Sequence, residues 1–284
     1  MSIMWARSRL LLFPLATFAL AACSDAAAPV ATEPNRAALE GPAPVTTCHT
    51  VIRQPGIYIL ANDLIGCPEG GIEIASSDVT LRLDGHTISG SGVAVGIGIG
   101  RTLLHGVQRV RLVGPGTVEH FQSGIMTAHM MHSTIRGLTV RFNDHGLAFN
   151  RSLRGDRRVS SQDSIVANTF SDNRYHGVTI NGGEASLFRD NISTRNGAGR
   201  WDGYGFYLYD ADGIQLRSNW VLDNYQYGIA VTMGSLGNVI VGNTVQRNTY
   251  GDLLDANCPT NTWRDNRYDT AHWPWGCTQV PAAP

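Results

Sequence analysis

No lysine occurs anywhere in the chain; its 22 strongly basic residues are all arginine. Chemistry that depends on a lysine amine is thereby excluded: Schiff bases, the phosphate-loop lysine and lysine as a general base. Excess charge is missing too. A formal net charge of −1 leaves no basic footprint, so no nucleic-acid partner is expected. Cysteine is scarce, five in 284 residues, and no two stand in a Cys-x-x-Cys pair, the spacing a zinc site would favour. Long hydrophobic runs are lacking as well: the apolar run 10–21 is broken by Pro14 and is too short to span a bilayer.

What fills the chain instead is repetition. WVLDNYQYGIAVTMGSLGNVIVGN (220–243) and TVQRNTYGDLLDANCPTNTWRDN (244–266) are two copies of one unit. Each has an Asn near its start, a Gly opening a short alternating run, and a closing Asn. The closing Asn recurs at Asn168, Asn191, Asn219, Asn243 and Asn266, in steps of 23, 28, 24 and 23. The opening Gly recurs at Gly124, Gly146, Gly177, Gly205, Gly228 and Gly251. A unit this short cannot bury its own apolar face and must stack on its neighbours. In GGIEIASSDVTLRLDG (70–85), as in later coils, apolar and polar residues alternate with period two, the mark of strands with one buried face. The Gly register points Ile125, Leu147, Val178, Phe206 and Ile229 inward, followed two residues on by Thr127, Phe149, Ile180, Leu208 and Val231. The Asn column reads as a turn ladder of mutually bonded amides, not as a ligand site. About eight coils are expected, in one all-β domain over 47–278 with a disordered tail at 279–284.

The N-terminus carries a separate signal. Arg7 and Arg9 precede the apolar run, which closes in Leu20-Ala21-Ala22-Cys23. This resembles the lipobox of bacterial lipoproteins. The resemblance implies a signal peptide at 1–22, lipid attachment at Cys23, and anchoring that faces the periplasm or the cell surface. Residues 23–46, rich in Ala and Pro, cannot repay their ordering entropy and read as a flexible tether. Cys48 and Cys67 open the folded region and Cys258 and Cys277 close it, each pair 19 positions apart. In an exported chain this favours disulfides Cys48–Cys67 and Cys258–Cys277 capping the ends of the stack, although four cysteines allow three pairings.

The opening LDGHTI (83–88), the repeated Asn-x(2–3)-Gly-aliphatic units and the ending DLLDANCPTNTWRDN (252–266) resemble the right-handed parallel β-helix repeat proteins of pectin-lyase-like fold. Within that group they are similar to NosD-like periplasmic proteins. The resemblance covers 48–277 and implies a fold rather than an activity, since the group includes polysaccharide lyases, hydrolases, alginate-modifying enzymes and proteins of unassigned role. By the same analogy, ligands lie in a groove along one sheet, walled by long turns. Two coils carry insertions beside the Gly-opened strand: RSLRGDRRVSS (151–161) follows strand 146–150, and GAGRWDGY (197–204) precedes strand 205–209. They are expected to wall a cleft over strand 177–181.

The positions before each Gly read Ser123, His145, His176, Tyr204, Tyr227 and Tyr250. His145, His176, Tyr207 and Arg200 are the candidate catalytic set. Asn150, Arg154, Arg157, Asn181, Trp201, Asp202, Tyr204, Tyr209 and Asp210 are the candidate substrate-binding set. Guanidinium groups pair with carboxylates bidentately, aromatic faces suit sugar rings, and His with Tyr can exchange protons. On an acidic polysaccharide, Arg would neutralise the uronate while His or Tyr takes the C5 proton, the chemistry of a lyase or epimerase. The plainer reading is that aromatic residues stack on their copies one coil away and that an Arg-rich loop is a solvated one. Asp210 and Asp212 offer an alternative carboxylate pair for hydrolysis, or for calcium, without a loop signature for either. No other cofactor is expected. His129 and His132 in HMMH (129–132), with Met126, Met130 and Met131, are the one hook for copper. Three functions follow: an envelope lipoprotein that binds and acts on acidic polysaccharide, a non-catalytic surface module, or a NosD-like metal-related protein. A monomer is expected in each case.

Overall fold

The computed structural model describes residues 41–101, 106–150, 159–197, 202–232, 234–274 and 277. No helix occurs among them, and the strands pair in parallel. Three long sheets run the length of the stack, with ten, nine and ten strands. Sheet A runs from Ala43–Val45 to Thr262–Arg264, sheet C from Leu64–Cys67 to Arg267–Tyr268, and sheet B from Thr50–Ile52 to Ala271–His272. From Gly56 onward the chain visits A, C and B in turn, and each strand bonds to its copies one coil before and after. This is the parallel β-solenoid that the repeats imply. Its first strand, Ala43–Val45, pairs with Gly56–Leu60, so the ladder begins inside the stretch expected to be tether.

Period-two alternation does the positioning. All ten residues that the Gly register pointed inward are buried, from Ile125 to Val231. Identical or similar apolar residues stack in register, as in Leu112–Ile135–Ile165 on sheet A, so each coil buries its interior on the next. Glycine recurs at one corner for lack of space. A Cβ on Gly205 would meet the Gly228 carbonyl at 2.6 Å and Asn224 Nδ2 at 2.9 Å, besides striking Val221. One register assignment needs correcting. Gly251 pairs with Tyr227, and Asp252 takes the column position after Gly228. Tyr250 therefore leaves the pre-glycine column and packs edge-on against Tyr225, ring centres 5.9 Å apart. The substitution has a reason: Asp252 Oδ1 accepts from Asn248 Nδ2 at 2.9 Å, and Oδ2 accepts the Asp269 and Thr270 amides at 2.8 and 3.0 Å. A carboxylate thus closes what an amide would leave open.

Asparagines hold the corners by side-chain ladders. Between sheets A and C, Asn168 Nδ2 donates to Asn191 Oδ1 at 3.1 Å, and the pattern repeats through Asn219 and Asn243 to Asn266. A second ladder between sheets C and B runs from Asn143 through Asn173, Asn196 and Asn224 to Asn248. Each amide also bonds backbone groups of adjacent coils, which satisfies corner N–H and C=O groups that have no strand partner. Beside the second ladder the chain turns through left-handed residues, Asp172, Arg195, Asp223 and Arg247, with φ between 53° and 58°. Arg195 grips Asp172 and Arg247 grips Asp223, each by two bonds of 2.7–2.8 Å. Disulfides Cys48–Cys67 and Cys258–Cys277 close loops near the two ends, the pairing expected from their placement.

Candidate functional site

Outward positions of sheet B stack as columns, just as inward ones do. His145, His176, Tyr204 and Tyr227 form one column on four successive coils. The adjacent outward column carries Met126, Ala148, Thr179 and Tyr207. Rings from both columns meet. His145 and His176 have centres 5.3 Å apart, His176 and Tyr207 5.5 Å, and Tyr204 and Tyr207 4.8 Å. Tyr175 stacks on the far side of His145 at 5.2 Å. Farther along, the Tyr227 hydroxyl lies 3.0 Å from His272 Nδ1. The described end of the second insertion, 202–204, comes down onto this patch.

Electrostatics divides the two histidines. His176 is 7% exposed, and its Nδ1 accepts the Tyr204 amide N–H at 3.3 Å. That bond puts the proton of the neutral ring on Nε2, which faces Asp202 Oδ2 at 3.9 Å. Burial, reinforced by the charge of His145, pushes its pKa down to about 3. His145 is more open; burial lowers its pKa, while Asp144 and Asp202 pull upward. Burial raises the Asp202 carboxyl against the opposing pull of His145, and it pushes the Tyr204 phenol up to about 12. At neutral pH the patch therefore holds two uncharged imidazoles and a protonated phenol.

Three of the four candidate catalytic residues, His145, His176 and Tyr207, come together, and Asp202 and Tyr204 of the binding set join them. Arg154, Arg157, Arg200 and Trp201 lie outside the described residues, as does Cys23. Asn150 and Asn181 face each other across the register in the third outward column, with Tyr209 beyond. Buried oxygens Thr179 Oγ1 and Asn181 Oδ1 have no hydrogen-bond partner among the described residues. Tyr209 and Asp210 sit at the strand's end, away from the imidazoles, and Asp210 turns the corner with φ 50°. Buried Ala211 separates it from Asp212, whose Oδ1 accepts the Leu236 amide at 2.9 Å. The two aspartates thus belong to a corner rather than to the ring patch. Sequence reasoning missed Tyr175, Thr179 and His272; only the strand register reveals them.

A protein-family profile described as "Periplasmic copper-binding protein (NosD)" matches residues 84–269, well over half of the chain. No curated protein matches it significantly. Among solved structures, the periplasmic alginate epimerase AlgG aligns at 13% identity, covering 74% of this chain and 51% of its own, with a TM-score of 0.49. Pectate lyase Pel9A aligns at 10% identity over 79% of this chain and 69% of its own, TM-score 0.47. The Dettilon tailspike protein aligns at 13% identity over 80% and 54%, TM-score 0.50. The chain spans about half the length of AlgG and of the tailspike. At such identities the likeness is one of fold.

The HMMH stretch, the sequence's hook for copper, lies between strands Ser123–Ala128 of sheet B and Thr134–Arg136 of sheet A. Met130 of HMMH is fully buried in the core, and His129 and His132 both occupy left-handed turn positions, with φ 55° and 50°. Among the described residues, no three His, Cys, Asp or Glu side chains gather closely enough to hold a metal ion.

Proposed function

We propose, from the premise that this chain belongs to the NosD family of parallel β-solenoid proteins, that its sheet B groove binds an acidic polysaccharide and acts on it by proton transfer. The observation that supports this most is the contact of His145, His176, Tyr204 and Tyr207 in one patch beneath Asp202. Flat rings arranged over adjacent coils suit the faces of successive sugars, and neutral imidazole and phenol supply the proton acceptor and donor.

His145 is the base in this reading. Its lowered pKa leaves the ring uncharged at neutral pH, with a lone pair for the C5 proton of a uronate. His176, whose Nδ1 is already engaged, orients Tyr204 and offers its Nε2–H. In a lyase, the C5–H electron pair becomes the C4–C5 double bond as the C4–O bond breaks. Tyr204 or Tyr207 then protonates the departing oxygen. In an epimerase the same hydroxyl returns a proton to C5 from the opposite face. Arg154, Arg157 and Arg200 would neutralise the uronate, and Trp201 would cover a sugar face. The protein is exported, in keeping with its two disulfides, and held at the membrane by lipid on Cys23.

The test is incubation of the full chain with alginate and with polygalacturonate, following unsaturated-product absorbance and, by NMR, epimer content. His145→Ala should abolish turnover by either readout while retaining binding. Wild-type binding without turnover on any uronate polymer would favour a non-catalytic surface module, a reading that the burial of His176 also suits.

A further inference from the structure

The outward face of sheet B has a second polar feature, four strands from His176 toward the N-terminal end. A cavity of about 600 Å³ opens there over sheet B, lined by His49, Val51, Arg53, Glu69, Glu73 and Arg101 among others. Glu73 projects outward from the strand Ile72–Ile74 and is only 15% exposed along its side chain. It is paired with Arg101, but poorly. The side-chain contact, Arg101 Nη1 to Glu73 Oε2, is 3.5 Å long, and the Arg101 backbone N–H also bears on the carboxylate. Glu73 Oε1 and Arg101 Nε are buried with no hydrogen-bond partner among the described residues. Burial raises the Glu73 pKa despite the opposing charge and backbone N–H of Arg101.

The neighbouring strand is built around this pair. Gly98 pairs with Glu73 across the ladder, and a Cβ there would strike Glu73 Oε2 and come within 2.8 Å of Arg101 Cδ. Its glycine has ordinary backbone geometry, so vacant space rather than conformation is what the position supplies. A half-paired buried charge pair costs stability unless something completes it. The orphaned atoms are one acceptor, Oε1, and one donor, Nε. A hydroxyl group completes both at once, donating to the carboxylate and accepting from the guanidinium. The rest of the lining mixes signs, His49 and Arg53 against Glu69, so nothing in it selects a strongly charged ligand.

We propose that this cavity is a carbohydrate subsite that holds a hydroxyl-rich terminal unit of a glycan chain, with Glu73 and Arg101 as its hydrogen-bonding pair. The inference rests on the reading of sheet B as a glycan-binding face and adds where the chain ends. Strands of sheet B lie ~4.8 Å apart, so Glu73 and His176 are about 19 Å apart along the stack. Between them the central outward column is Gly98, Met126, Ala148 and Thr179, mostly small side chains that leave a path for a chain.

The experiment measures binding of fluorescent oligogalacturonides by anisotropy, comparing a dimer with an oligomer long enough to span both features. Val51→Trp fills the cavity without removing a charge, and Glu73→Ala removes the acceptor; thermal melts establish that each variant folds. Both variants should weaken the long oligomer about tenfold, the scale of losing hydrogen bonds to a charged group. Wild-type binding of the long oligomer that Val51→Trp leaves within about twofold overturns the subsite alone. Failure of the wild type to bind any oligomer overturns the glycan reading, and the subsite with it.

Discussion

Asp163 should be the most pH-sensitive weakness of this fold, and replacing it with asparagine should strengthen the protein. It lies at the corner between sheets B and A, 1% exposed. Its Oδ1 accepts the Ser133 amide at 2.7 Å, and its own amide donates to Ser186 Oγ at 3.1 Å. Oδ2 is buried with no partner among the described residues. Burial pushes the pKa up to about 8 from an ordinary 3.8, with the Ser133 N–H pulling the other way. A carboxyl whose folded pKa is raised keeps a proton that the unfolded chain releases. Below about pH 4 both states are protonated and the burial costs nothing. Each pH unit from there to about 8 then costs about 1.4 kcal/mol, on the order of 4 kcal/mol at pH 7. Asp163→Asn abolishes this titration and puts an N–H donor at Oδ2. Asn168 and Asn238 show where that donor goes: each Nδ2 bonds the carbonyl three residues before the amide that its Oδ1 accepts, Ile135 and Ala211. The corresponding carbonyl for position 163 is that of Met130. Urea unfolding followed by circular dichroism should show the variant more stable by at least ~2 kcal/mol at pH 8, with no comparable gain at pH 4. An equal shift at both pH values, or destabilisation at pH 8, would refute the reasoning.

Two further outcomes are expected. Gly177→Ala should destabilise by about 1–3 kcal/mol or more, because the added methyl meets Ser193 Oγ, Asn196 Nδ2 at 2.7 Å and the Gly205 carbonyl at 2.9 Å. Gly41→Ala, with nothing within 4 Å, is the control, and equal unfolding midpoints for the two would refute the crowding argument. Cys23→Ser should move the protein from the membrane to the soluble fraction of fractionated cells; an unchanged membrane share would remove the lipid anchor.

The fold was legible in the sequence because its period is written in residues that tolerate little substitution. Asn168 to Asn266 and the inward column from Ile125 to Ile229 could be read directly, since each coil must repeat what its neighbour packs against. The second Asn ladder was harder to see. Asn196 stands nine residues before Gly205, whereas Asn173 stands four before Gly177, so an insertion hides the column. At Gly251 the error had a different source: Tyr250-Gly251 imitates Tyr227-Gly228, and only the pairing of Leu253 with Ile229 shows the slip. For the site, the pre-glycine column correctly brought His145 and His176 together. Which of them keeps a free lone pair depends on the Tyr204 amide, a backbone group that no side-chain pattern announces. The Glu73–Arg101 pair was out of reach for a similar reason. Its partners are 28 residues apart, and it is shaped by the empty side of Gly98.

The Asp172, Arg195, Asp223, Arg247 corner acts as a parity check on assembly. Successive coils are so alike that a strand could dock on the coil after next, looping out the one between. In the native order each charge meets its opposite. Omit one coil and Asp172 comes to lie against Asp223, or Arg195 against Arg247, like on like. Such a contact is penalised by like-charge repulsion, while the hydrophobic columns, nearly uniform along the stack, would scarcely register the mistake. An alternating row of charges that adds little to the stability of the finished stack thus supplies what uniform columns cannot: a count of coils, odd and even.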